Sequence, residues 1–157
     1  MAHRRTQIID AIVAIIQASA SIQVAPQNVF KNRSLSLSEE QDEMPAVCVN
    51  RSEDQPDSEL GNDNVAFIDS LLSVTTVGYV LGDSEGEVVE DLDEQARHVQ
   101  AAILADQSLG LGETKVIGTR YGGSGEPQID TTGERTAGSL ESRWTIHYRM
   151  NIADPGD

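Results

Sequence analysis

The stretch from Leu140 to Ile152 constrains the fold more than any other part of the chain. Leu140, Trp144, Ile146, Tyr148, Met150 and Ile152 share one parity, while Glu141, Arg143, Thr145, His147, Arg149 and Asn151 take the other. Side chains on a strand alternate between faces, so this spacing predicts a strand with one buried and one polar face. Such a strand needs neighbours to satisfy its backbone and a second layer to cover its apolar side.

Two segments have the spacing of a covering helix. Ile8, Ile9, Ile12, Ile15 and Ile16 fall on one side of a helix, with Gln7, Asp10, Ala14 and Gln17 on the other. His3, Arg4 and Arg5 before this apolar run, and Ala18-Ser19-Ala20 after it, are arranged like a secretory signal, but Asp10 and the polar stripe favour an amphipathic helix. The run is also far too short to span a bilayer. The second helix follows a turn at Gly82–Gly86 and carries Val89, Leu92, Ala96, Val99 and Ile103 at three- and four-residue steps. Glu87, Glu90, Asp91 and Asp93 load its beginning, where negative charge suits the helix dipole.

Between these helices, Ile22 to Arg33 reads as short extended pieces around Pro26, and Pro45 holds Met44 extended ahead of a strand from Ala46 to Asn50. Ala66 to Leu81 is a long strand whose apolar parity changes from Leu72 and Val74 to Val77 and Tyr79, which predicts an inserted bulge residue. Lys115 to Tyr121 is a strand leading into Gly122-Gly123-Ser124-Gly125. Long loops are expected at 34–45, 52–64 and 122–138. The fold class that results is α+β: one domain over 1–157, with a single mixed or mainly antiparallel sheet of four to five strands and two helices packed on one face.

Composition narrows the function. The chain of 157 residues carries 26 acidic and 11 basic side chains, a net charge of -15, which repels nucleic acid unless basic residues gather on one surface. The acid concentrates in residues 34–65, whose only cation is Arg51. Cys48 is the only cysteine, so no intrachain disulfide and no single-copy thiolate metal site can form, which suits a reducing cytoplasm. Asn32-Arg33-Ser34 and Asn50-Arg51-Ser52 match the glycosylation sequon, a short pattern read here as incidental.

The sequence holds no recognisable catalytic, cofactor-binding or metal-binding set. Asp83-Ser84-Glu85-Gly86-Glu87 has the look of a calcium loop, yet Val88 stands where glycine belongs. His3, His98 and His147 sit on different elements without a second ligand at metal spacing. Gly110, Gly112 and Lys115 lack the spacing of a phosphate loop and follow a helix rather than a strand. No Gly-x-Ser-x-Gly elbow exists, and Cys48 has no histidine partner in sequence. Trp144 and Tyr148, four apart on one strand face, read as the aromatic centre of a core.

The N-terminal amphipathic helix, Met44-Pro45-Ala46-Val47-Cys48-Val49, the long strand after it, the helix from Leu92 that ends in Asp106-Gln107-Ser108-Leu109-Gly110, and the closing strand through Tyr148 together resemble the tail terminator, or minor tail, proteins of long-tailed bacteriophages. The resemblance spans nearly the whole chain, and the helix followed by Asp-x-x-Leu-Gly is its most specific part. It implies a structural virion protein without catalysis, assembled in the host bacterial cytoplasm and located in the tail. Copies would close into a six-membered ring that caps the tail tube, ends its polymerisation and provides the surface for head–tail joining. The implied partners are further copies of the chain, the tail tube protein and the head–tail connector or neck protein, with DNA passing through the ring without specific binding and no membrane involved. Arg33, Arg51, Arg120, Tyr121 and Arg135 are the candidate interface residues. The alternatives are a head-completion or neck protein of the same particle, an acidic protein-binding module that mimics nucleic acid, and a hydrolase built on scattered carboxylates.

Overall fold

A computed structural model describes residues 2–56, 67–151 and 153. Helix α1 (Arg4–Ala18) buries Ile8, Ile9, Ile12 and Ile16, and the His3 ring nitrogen Nδ1 caps it by accepting from the Arg5 N–H at 3.1 Å. A short 3-10 turn, Pro26–Asn28, leads into β1 (Val29–Lys31), which pairs parallel with the start of β2 (Ala46–Pro56). Strand β3 (Phe67–Gly82) follows, then α2 (Glu85–Leu104), β4 (Val116–Ser124), β5 (Gln128–Asp130) and β6 (Thr136–Asn151).

The strands form one six-stranded mixed sheet in the order β1-β2-β3-β6-β4, with β5 also paired to β6. The fold is thus α+β as the pattern predicts, and the sheet reaches six strands because β1 and β5, each of three residues, add to the four longer ones. Pieces this short carry too little pattern to be read as strands.

The alternation of β6 is realised along its length. Leu140, Trp144, Ile146 and Tyr148 are buried, and the register against β3 runs unbroken from Phe67↔Asn151 to Gly82↔Thr136. Both helices lie on the even-numbered side of β3 and β6, where Ile8, Ile12, Val99 and Ile103 meet Val47, Val49, Leu72, Val74, Trp144 and Ile146. Burying each such aliphatic side chain contributes roughly 1.5–3 kcal/mol. The Trp144 indole N–H donates to Thr76 Oγ1 at 3.1 Å, so the largest ring in the core leaves no donor unmet.

Several expectations need correction. Strand β3 has no bulge: Tyr79 is buried on the opposite face from Val74, beside Leu35, Met44, Ala46 and Cys48, because the segment between β1 and β2 folds over that end of the sheet. The parity change marks burial on both sides. The irregularity sits in β2, between Arg51 and Asp54. β2 also runs through Pro56, where a loop was expected from residue 52; Asp54 holds it by accepting from the Tyr148 hydroxyl at 2.8 Å and pairing with Arg5 at 3.3 Å. The rest of that expected loop, from 57 to 64, and Ile152 lie outside the described residues. The loop expected at 34–45 contains a 3-10 turn, Gln41–Glu43, and that at 122–138 is broken up by the end of β4, by β5 and by the start of β6.

In α2 the fully buried valine is Val88, and Gln95 packs under the helix against the flat site at Gly78, where a Cβ would collide with the Gln95 side chain. Arg4, read as part of a basic N-terminus, is fully buried: its Nε donates to the Arg149 carbonyl at 3.2 Å and its guanidinium to Gln7 Oε1 at 2.6 Å. A cation placed this way ties α1 to the end of β6.

Candidate interaction surface

The odd-numbered face of the sheet divides into two halves. One is sealed by the segment around Leu35, Leu37 and Met44, with the Leu35 N–H donating to the buried Tyr79 hydroxyl at 3.2 Å. Arg33 locks this cover: its guanidinium bridges Glu40 at 3.0 Å and Glu43 at 2.7 Å and lies over the Phe30 ring at 4.4 Å. Hydrogen bonds from the Ser36 N–H and from Arg33 hold the Glu40 carboxyl below its usual value.

No described segment covers the other half. A groove of about 640 Å³ crosses it, lined by Gln55, Pro56, Leu71, Ile117, Arg120 and His147 among others. Thr145 stands between, in register with Arg120. At its far end Arg149 binds Asp69 through two hydrogen bonds, 2.7 and 3.0 Å, which lower the Asp69 carboxyl. This half-face gathers Arg120, Arg143, His147 and Arg149 in a chain of net charge -15.

The candidate interface residues do not converge. Arg33 is committed within the covering segment. Arg51 is exposed on β2 at its irregularity. Arg120 and Tyr121 are consecutive on β4 and face opposite ways: Arg120 lines the groove, while the Tyr121 ring packs on Trp144 at a centroid distance of 5.2 Å. Arg135 reaches Asp83 at 3.7 Å and borders a second cleft of about 300 Å³ with Asp91, Glu94 and His98. Arg143 and His147, polar-face residues by the parity of β6, join Arg120 because β4 pairs beside β6, and that parity is the sequence signal that points to them.

The motifs with a chemical look have local structural roles. Ser84 caps α2, its hydroxyl accepting from the Glu87 N–H at 3.2 Å, while Glu87 accepts from the Asp83 N–H at 3.1 Å, an arrangement close to a capping box. Asp106 organises the turn after α2: it accepts from the Ser108 N–H and hydroxyl at 2.9 and 2.7 Å and from the Gly110 N–H at 3.0 Å. Leu109 and Gly110 both take positive φ there, 56° and 74°. The Asp-x-x-Leu-Gly signature is therefore a helix-ending turn. Burial pushes the Cys48 thiol up to about 11, which makes it an inert core side chain at neutral pH. Among the described residues, no group of three or more His, Cys, Asp or Glu is placed to hold a metal ion, and no helix is long and apolar enough to cross a membrane.

No family model and no curated protein matches the chain. Among solved structures it is similar to a chain of the "Virion of native gene transfer agent (GTA) particle", at 10% identity over 88% of this chain and 92% of that one, with a TM-score of 0.48.

Proposed function

We propose that this chain is a structural virion protein of the tail-terminator kind, whose copies join head to tail into a closed six-membered ring on the end of a bacteriophage tail tube. The ring stops tube polymerisation and presents the surface on which the head connector docks. The reading draws on the resemblance in the sequence, and one structural observation supports it: the sheet has two dissimilar surfaces, one sealed under α1 and α2 and one half uncovered among the described residues. Contacts between unlike surfaces propagate in one direction, and they end only when rotation closes a ring. Carboxylates facing the bore would let DNA pass without sticking, since like charge repels phosphate.

Negative-stain electron microscopy of a virus lacking this protein, with and without the purified chain added back, tests the reading. Overlong or headless tails that revert on addition support it. Normal tails beside unjoined heads would move the protein to head completion, and normal infectious particles would remove the assembly role.

A further inference from the structure

Three large apolar side chains are exposed among the described residues, and they fall on two surfaces. Phe67 and Ile117, 43% and 40% exposed, lie on or beside the open half of the sheet; Leu104, 40% exposed, lies on α2. Opposite charge separates the same two surfaces. On the open half, Arg120 has no ion pair among the described residues, Arg143 reaches Glu141 only at 3.8 Å with both exposed, and Arg149 is held by Asp69. On α2, Glu85, Glu87, Glu90, Asp91, Asp93 and Glu94 are all exposed, and Arg97 and the His98 ring, which follow, both bind Glu94. Glu90, Asp93, Arg97 and Leu104 recur at helical spacing along one outward stripe.

We infer that the open, basic half-face of one copy docks on the acidic outer stripe of α2 of the next copy. This rests on the ring reading above and adds which surfaces mate. The occupant is a second copy because the chain carries its own complement: a strip rich in arginine with Phe67 and Ile117 on one side of the sheet, and a strip rich in carboxylate with Leu104 on the other. The two strips lie on opposite sides, so one copy engages a neighbour through each at once, whereas two open half-faces brought together offer Arg120 only Asp69 and Glu141, which Arg149 and Arg143 already engage. A nucleic-acid duplex would also be drawn to the arginines, but it meets the repulsion of the whole chain at net charge -15.

Sedimentation velocity of the purified chain at rising salt, with charge-reversed variants, tests this. Wild type associates at low salt and comes apart as salt screens charges beyond roughly 8 Å. Arg120→Glu with Arg143→Glu, and separately Glu90→Lys with Asp93→Lys, each weaken association at least about tenfold, and the four changes together restore it. Thermal melts establish that each variant is folded. Wild type that stays monomeric at low salt, reversals that associate like wild type, or a combined variant that does not recover each overturn the inference. So does binding of a DNA duplex that is lost in Arg120→Glu with Arg143→Glu while association is unchanged. Added back to particles lacking the protein, wild type and both reversals that restore tails equally would sink the mating surfaces and leave the ring standing. Failure of wild type to restore tails sinks the ring itself.

Discussion

On one side of β6, Trp144, Ile146 and Tyr148 are sealed beneath two helices; on the other, Thr145 and His147 line a groove that no described segment covers, and Arg143 shares their face. Both sets alternate along the same strand. On the sealed side each side chain touches others from several elements, so a change costs stability. On the open side the neighbours are mostly within the sheet, and substitution there is available for recognition without loss of the fold.

The largest effect is expected on the sealed side: Trp144→Ala leaves a cavity and strands the Thr76 hydroxyl, costing about 3–5 kcal/mol in chemical denaturation. Loss of under about 1 kcal/mol would mean the helices are not firmly seated. Gly138→Val should follow, at about 1–3 kcal/mol, because a side chain there drives into Val88 and Leu92 of α2.

Asp69→Asn comes next, at the border of the open half. It removes charge-assisted bonds from Arg149, and because the arginine is about half exposed the cost falls near 1 kcal/mol. The sign with pH is definite. Arg149 lowers the folded-state value of Asp69, so its contribution is complete above the unfolded value near about 3.9 and fades as pH falls through the lowered one. Stability of wild type and Asp69→Asn measured down to acid pH should converge. Curves that stay parallel would assign the difference to packing. The smallest effect is expected in the groove itself, where Arg120→Ala changes stability by no more than about 0.5 kcal/mol. A larger loss would show that the open half is structural after all.

The same contrast explains what the sequence could express. β6 was legible because one face is apolar and the other polar along most of its length. The end of β3 was not, because Tyr79 and Val80 are buried on opposite faces, and two-sided burial imitates a register slip. Ser52 to Pro56 looks like loop because its residues are polar, and only the distant Tyr148 and Arg5 reveal Asp54 as an anchor. Arg4 has the residue type of a surface cation, and its burial depends on the Arg149 carbonyl at the other end of the chain. Of the candidate site, Arg120 was readable as an exposed cation, but its company with Arg143 and His147 required the pairing of β4 with β6. Arg33 misleads for the opposite reason: its partners Glu40 and Glu43 follow no helical or strand spacing from it.

The ladder between β3 and β6 joins Gly82 to Thr136 at its near end and Phe67 to Asn151 at its far end. Helix α2 and strands β4 and β5 all intervene in sequence, so the centre of the sheet cannot be made from neighbouring residues. Closing so long an intervening stretch spends chain entropy before any strand contact compensates it, which slows folding relative to a sheet built from local hairpins. Until the ladder closes, the apolar face around Trp144 has no complete sheet to belong to, so refolding yield is expected to fall as protein concentration rises, a dependence that refolding at graded dilution measures.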